Sequence, residues 1–350
     1  MLTYPINFKA AILRQAKKPL SLETIRFEGP LKRGQVLVKI IYSGICGKQI
    51  DEILQKGGKD KFIPHLLGHE GVGLVLDVGP GVKKVKKNDQ VILHWVKGKG
   101  INSSTPVYFD KSNNRINAGW VTTFNEYAVV SENRITKTNV KNYRKELALL
   151  GCAGSTGLSI AIKSSKISKK DKILVYGCGG VGQFIVQGAK LLKAAKIIVV
   201  DKNINALKLA KKNGADIIVN TKSKNYREKI KNISNKYQIN KVYITVGKID
   251  LIEHAISLAA TPGQCYVIGV PYINSKLRVN AFDLMHEKNL YGSLGGGFKP
   301  DKDIPKYLKL NDKKLISLSR VISKTIEFNK INLAIKKIMK NYSGKIIIKF

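Results

Sequence analysis

The sequence predicts an α/β protein in two parts, a β-rich first half and a second half built as a doubly wound parallel sheet. Three observations predict it. A chain of 350 residues is long enough for two sizeable cores. Short β-branched runs bounded by glycine dominate the first half. After residue 170, strand-like runs alternate regularly with helical segments, the rhythm of a parallel sheet with helices on both faces.

Taken in order, residues 36–43 form an apolar run between Gly34 and Gly44, and residues 71–78 and 90–95 read the same way. Residues 46–56 have helical spacing, with Cys46 at the N-terminal end, where the helix dipole favours thiolate over thiol. Residues 97–117, rich in Gly, Ser and Asn, read as a long polar surface loop. In the second half, strands are expected at 172–176, 196–200, 216–219, 241–246 and 264–270. The helices between them are expected at 180–193, 203–213, 224–236 and 249–260. Gly295-Gly296-Gly297 reads as a flexible join, followed by helical segments. Residues 344–350 read as a strand that, if it pairs with the first part, makes that part discontinuous. The expected division is 1–153 with 295–350, and 154–294.

The formal net charge is +38. Nucleic acid or an anionic membrane surface is one reading. A lysine-biased composition is the other, and it is favoured because the lysines do not gather in one tail or helix. The densest run, Lys83-Lys84-Val85-Lys86-Lys87, reads as an exposed turn between strands. No basic stripe interleaved with aromatics is visible, so no specific nucleic-acid partner is expected. Four cysteines lack the spacing of a disulfide framework. The first residues do not read as a signal peptide, and apolar runs are too short to span a bilayer. The expectation is a cytoplasmic protein with no membrane partner.

Three scattered residues read as one metal site: Cys46, His69 and Cys152. Two thiolates and an imidazole suit a tetrahedral Zn²⁺ with its fourth position open for chemistry. Some twenty-five residues after Cys152, the strand-like Ile173-Leu174-Val175-Tyr176 leads into Gly177-Cys178-Gly179-Gly180-Val181-Gly182 at the start of a helix. Glycines there allow close approach of backbone to a pyrophosphate, and the helix N-terminus offers N–H groups to it. Asp201 ends the next strand, nineteen residues beyond Gly182. A carboxylate there would accept the adenosine ribose hydroxyls and repel a 2′-phosphate, which predicts NAD over NADP; Lys202 and Lys208 would soften that preference. The competing reading of Asp201 is a helix N-cap before Asn203. Zinc with a nicotinamide cofactor points to hydride transfer.

On Gly44-Ile45-Cys46-Gly47, Gly68-His69-Glu70-Gly71, Leu150-Gly151-Cys152 with Ser155-Thr156-Gly157, and Gly177 to Gly182, the chain resembles the zinc-dependent medium-chain dehydrogenase/reductase family, alcohol dehydrogenase type. Gly269-Val270-Pro271 and Gly296-Gly297-Phe298-Lys299 also fit, so the similarity spans nearly the whole length. The resemblance implies a Rossmann cofactor domain and a partly barrel-like, GroES-like catalytic domain. It implies Cys46, His69 and Cys152 as zinc ligands, with Glu70 close behind the metal. It places Thr156, Val181 and Ile268 around the nicotinamide ring, and Trp95 in the substrate pocket, where a core role is nearly as natural. His94 reads as a satisfied histidine rather than a fourth ligand. Cys178 and Cys265 have no ligand context.

Two departures from the family stand out. Many relatives hold a structural zinc with four cysteines after the position of Trp95, but residues 96–119 contain no cysteine. One catalytic zinc and no structural zinc are therefore expected. Where relatives have a hydroxyl residue followed by Asp, this chain has Lys48 and Gln49. Beside Zn²⁺, Lys48 would be pushed toward its neutral form and could accept the alcohol proton, with Asp51 passing it on. Alternatively, Lys48 faces solvent, or it meets an anionic group on the substrate. Gln49 removes a negative group behind the metal and should leave it more electrophilic. The expected function is NAD-dependent, zinc-dependent interconversion of an alcohol with an aldehyde or ketone, by a homo-oligomer (dimer or tetramer). A polyol or sugar-derived substrate is the alternative within the family. A binding-only, nucleic-acid-associated protein is the weaker alternative outside it.

Overall fold

The computed structural model describes residues 3–140, 142–340 and 342–350. Three sheets organise it. The first is a closed barrel of five strands, in the order Ile6–Leu13, Ser21–Phe27, Val107–Phe109, Arg115–Asn117 and His65–Leu66. Its interior is filled by Phe8, Ile25, Phe27, Tyr108 and Ile116, with edge-to-face ring contacts of Phe8 to Tyr108 at 5.6 Å and to Tyr127 at 5.7 Å.

Two of those barrel strands fall inside the stretch expected to be a surface loop. Val107–Phe109 and Arg115–Asn117 are only three residues each and too short to show alternation, yet each buries its middle side chain, Tyr108 or Ile116. The Asp110 carboxylate makes the turn between them by accepting the N–H groups of Ser112 (3.0 Å) and Asn114 (2.8 Å).

The second sheet runs Ile135–Lys137, Gln90–His94, Glu70–Val78, Gln35–Gly44, Lys345–Lys349 and Ile322–Glu327, with Tyr127–Ser131 also paired to Gln35–Gly44. The strand near residue 350 thus lies antiparallel to Gln35–Gly44, with Ile348 opposite Ser43, and parallel to Ile322–Glu327.

The third sheet is wholly parallel, in the order Ile217–Asn220, Lys196–Asp201, Lys172–Tyr176, Lys241–Ile244, Gly263–Val267 and Lys288–Gly292. Numbered along the chain this is 3-2-1-4-5-6, the doubly wound dinucleotide-binding order. Both faces are dry: Ile173, Val175, Ile197 and Val199 pack one side, and Leu174, Ile198, Val200 and Val242 the other. Lys288–Gly292 has no counterpart among the expected strands. It sits at the sheet edge, with a polar, mostly exposed sequence that lacks the buried-strand signature.

The glycine triplet is not a slack join. Gly295–Gly297 forms a tight turn with all three φ values positive (63°, 64° and 66°). A Cβ on Gly296 would meet the Thr156 carbonyl at 2.4 Å. The glycines are needed for that close approach to the helix Ala153–Ser159.

Among the described residues, no single helix is long and apolar enough to cross a membrane.

Candidate metal and cofactor site

Each expected metal donor is delivered by a different element. Cys46 is the N-cap of the short helix Gly47–Ile53. His69 directly precedes the strand Glu70–Val78. Cys152 stands at the head of the helix Ala153–Ser159. Their ligand atoms all lie within 4.8 Å of one another, and the two sulfurs are 3.9 Å apart. Two thiolates bound tetrahedrally at Zn–S lengths near 2.3 Å stand about 3.8 Å apart, so the observed spacing fits one zinc ion.

Two adjacent thiols cannot easily both ionise without a cation between them. The hydrogen bond from Cys152 holds Cys46 well below the ordinary thiol range despite its burial, with help from His69 and Lys345. The same bond, together with burial, holds Cys152 well above that range. Burial is the strongest influence on His69 and works against its charge, but the bond to Cys46 together with the charges of Cys46, Glu70 and Glu52 outweighs it and raises the imidazole. A divalent cation relieves this frustration by letting both thiols ionise.

Behind the donors, Glu70 is completely buried, and its Oε1 is bonded to the Nζ of Lys345. Lys345 also donates to the Ile45 carbonyl at 2.8 Å. Burial still pushes the Glu70 carboxyl up, against the pull of Lys345. Lys345 carried no signal in the sequence: it is the first residue of a Lys-Ile-Ile-Ile-Lys strand 275 residues from Glu70. Gln49 turns inward, its Oε1 accepting the Cys46 N–H at 2.8 Å and its amide nitrogen bonded to the His69 ring at Nδ1.

Lys48 and Asp51 both line the cleft in front of the donors. Among the described residues no hydrogen bond joins them; Asp51 is instead paired with Lys56 at 3.1 Å. The cleft has a volume of about 730 Å³, with His69 and Gln49 in its wall. Trp95 is not part of its lining. It is part-buried and packs on the glycine turn, where a Cβ on Gly295 would stand 3.0 Å from its ring. The tryptophan in the cleft is Trp120, which lies just beyond the misread polar loop and carried no signal in the sequence. His94 is fully buried between the Val96 carbonyl (2.7 Å) and the Thr136 hydroxyl (3.0 Å), a satisfied histidine apart from the donor set.

The glycine loop adjoins this site. Gly177 has a positive φ of 94°, and the helix Gly180–Leu191 starts at Gly180. A Cβ on Gly180 would stand 2.9 Å from the Lys345 stem and 3.2 Å from Ala153 Cβ, the neighbour of Cys152. The head of the glycine-loop helix is therefore packed directly against the metal-donor shell. A Cβ on Gly182 would strike the Gly177 carbonyl at 2.3 Å, which explains the third glycine.

Asp201 is not a helix cap. That role belongs to Asn203, whose side chain accepts the N–H of Asn205 at 2.9 Å. Asp201 instead accepts the N–H of Cys178 at 2.6 Å and of Asn203 at 2.7 Å, bracing the glycine loop from the neighbouring strand. Thr156 is buried one turn beyond Cys152, and Val181 and Ile268 flank the core beneath the glycine loop. Cys178 and Cys265 are buried core residues.

Residues 32–140 match the alcohol dehydrogenase GroES-like domain family, and residues 180–313 match the zinc-binding dehydrogenase family. The chain belongs to the zinc-dependent medium-chain alcohol dehydrogenase family. Among its relatives is an S-(hydroxymethyl)glutathione dehydrogenase of Haemophilus influenzae, 28% identical over 374 aligned residues that cover 99% of this chain and 98% of that one. The benzyl alcohol dehydrogenase of Acinetobacter calcoaceticus has a similar structure, with a TM-score of 0.87, 26% identity and 99% of each chain covered. An alcohol dehydrogenase zinc-binding domain protein from Burkholderia ambifaria shares the fold, with a TM-score of 0.90 at 23% identity over 99% of this chain and 100% of that one. As a member of this alcohol dehydrogenase family the chain is an oxidoreductase, and Cys46, His69 and Cys152 form its candidate zinc site.

Proposed function

We propose that this chain transfers a hydride between an alcohol and NAD⁺, and between NADH and an aldehyde or ketone, with one catalytic zinc. The carrying observation is the donor set of Cys46, His69 and Cys152 at zinc spacing, with His69 in the wall of a cleft and the set beside the head of the glycine-loop helix. In this reading residues 1–153 and 295–350 form the catalytic unit and residues 154–294 the cofactor unit.

Zinc supplies Lewis-acid polarisation of the substrate oxygen, and the nicotinamide supplies or takes the hydride. The chain's own residues do the rest. Gly177, Gly179, Gly180 and Gly182 clear space for the pyrophosphate, and Asp201 fixes the loop while keeping negative charge where a 2′-phosphate would sit. Thr156, Val181 and Ile268 shape the nicotinamide pocket. Gln49 orients His69. Glu70 stands behind the metal, held by Lys345. With zinc bound beside it, a neutral Lys48 amine would take the alcohol proton, become an ammonium and release it through water toward Asp51, which is engaged with Lys56. An unchanged pH–rate profile in Lys48→Ala rules out that proton path.

A single zinc is favoured because residues 96–119 lack cysteine and fold as the barrel hairpin instead. A cytoplasmic setting suits four cysteines that are all unpaired. A homo-oligomer is supported by exposed Tyr272, Ile273, Phe282, Met285 and Leu294, close in sequence to the edge strand Lys288–Gly292. Light scattering at a mass of one chain would refute it. The decisive experiment is metal analysis alongside activity. One zinc per chain, lost together with turnover in Cys46→Ala, is expected. Two zincs, or full turnover without metal, contradict the reading.

A further inference from the structure

Beneath the glycine loop, two amide side chains are buried in apolar surroundings. Gln183, in the helix Gly180–Leu191, is fully buried. Asn213, the last residue of the helix Ile204–Asn213, is buried beside it. The adjoining cluster is built from Cys178, Ile185, Val186, Ala206 and Ala210. A buried amide gains little over an apolar side chain unless its hydrogen bonds are all made, and then it specifies one geometry.

Both polar atoms of the Gln183 side chain are used. Its Nε2 donates to the Cys178 carbonyl at 3.1 Å and to the Ala206 carbonyl at 2.8 Å, and its Oε1 accepts from Asn213 Nδ2 at 2.8 Å. Asn213 thereby fixes which way round the Gln183 amide lies. Arg320, from the turn Ser319–Val321, donates in turn to Asn213 Oδ1 at 3.4 Å. The backbone N–H of Gln183 donates to the Gly179 carbonyl at 3.0 Å. One residue therefore holds two successive carbonyls of the loop, those of Cys178 and Gly179, on the inner side. A planar trans peptide sends its N–H opposite to its carbonyl, so the N–H groups of Gly179 and Gly180 turn outward. Gly179 is exposed, and a Cβ on it would meet nothing within 4 Å, so that outer side is open. Asp201 holds the same loop from its other flank, through the Cys178 N–H.

We propose that Gln183, oriented by Asn213, is a positioning residue for the cofactor, aiming the Gly179 and Gly180 N–H groups at the pyrophosphate. A helix start binds an anion through N–H groups that already point at it. A loop peptide free to turn over would present a carbonyl to the phosphates instead, and holding it in the bound orientation beforehand lowers the cost of binding. The inference rests on the dinucleotide reading of the glycine loop and adds two residues behind it.

The test is binding of NADH, ADP-ribose and adenosine to the zinc-loaded full chain, by NADH fluorescence and by competition against it. Adenosine lacks the pyrophosphate and serves as the internal control. Gln183→Met keeps the length of the side chain and removes the amide. It should weaken NADH and ADP-ribose by about tenfold and adenosine by less than about twofold. In turnover, KM for NAD⁺ should rise by a similar factor while kcat does not fall with it. Asn213→Asp decides the matter if Gln183→Met does not fold. Its carboxylate faces Arg320 and takes an N–H of Gln183, which turns that amide over and sets an oxygen against the Cys178 carbonyl. The same selective loss of NADH and ADP-ribose is expected. Lys212→Gln makes an equal change of charge one residue away, on an exposed side chain, and should leave all three ligands within about twofold of the parent. ADP-ribose binding as in the parent, adenosine losing as much as ADP-ribose, or Lys212→Gln matching Asn213→Asp overturns the inference while the cofactor reading stands. A parent chain that binds neither NADH nor ADP-ribose overturns both.

Discussion

Lys345 donates its ammonium to the carboxylate of Glu70, across 275 residues of sequence and directly beside the metal donor His69. Both side chains are buried, at 7% and 0% exposure. A buried pair gains little over an apolar pair of the same shape, but removing one member strands a charge. Lys345→Met should therefore destabilise the fold by roughly 3–5 kcal/mol, and Lys345→Met with Glu70→Gln by clearly less. Urea unfolding of the two variants and the parent measures both. Equal destabilisation would show that packing of the lysine stem, not the stranded carboxylate, sets the cost.

Gln49 stands behind His69, at a place where the family resemblance implies a carboxylate, and its amide meets the imidazole. A carboxylate accepting the imidazole N–H makes a more basic ligand. Gln49→Asp is expected to tighten zinc retention by about tenfold or more, read by competition with a chromophoric chelator. Unchanged or weaker retention would mean that Gln49 already satisfies the ring.

His94 gives the acid limb of stability. Burial, with the charge of Lys84 adding to it, lowers its pKa from 6.5 to about 4. Below 6.5 the unfolded chain takes up the proton that folded His94 refuses, so stability is present above pH 6.5 and is lost as pH falls toward 4. That shift corresponds to a loss on the order of 3 kcal/mol. Urea midpoints measured from pH 7 to 4 should fall less steeply in His94→Gln than in the parent. Identical slopes would assign the acid limb to another group.

Gly296 is a position where a single added methyl must do harm. With φ at 64° and the Thr156 carbonyl 2.4 Å from where a Cβ would sit, Gly296→Ala requires the turn and the Ala153–Ser159 helix to separate. A loss above about 2 kcal/mol is expected, with a raised KM for NAD⁺ because Thr156 moves. Thermal unfolding and cofactor titration check the two parts separately; a variant with unchanged Tm would contradict the packing.

What could be read from the residues followed physical regularity. The parallel sheet was legible because its central strands are dry on both faces and its helices recur at even intervals. Cys46, His69 and Cys152 were legible because each sits inside a family motif. Val107–Phe109 and Arg115–Asn117 were hidden because three residues show no period, and their pairing is set by a single Asp110 turn. Lys345 was hidden because a lysine at the start of an apolar strand is ordinarily a solvated end; only the strand's place beside Gln35–Gly44 turns it inward. The glycine triplet was found but read as slack, since sequence does not distinguish glycine kept for motion from glycine kept for contact.

The insertion of Lys345–Lys349 beside Gln35–Gly44 also bears on assembly order. Cys46 and His69 emerge from the ribosome early, yet Cys152 comes some eighty residues after His69, and Glu70 has no counter-charge until residue 345 has been made. The segment that matches the GroES-like family, residues 32–140, holds two of the three donors and neither Cys152 nor Lys345. It is therefore not a self-sufficient metal module. A nascent or truncated chain lacking residue 345 would expose an incomplete thiolate site with an unneutralised acid behind it, so metal capture belongs to the finished fold.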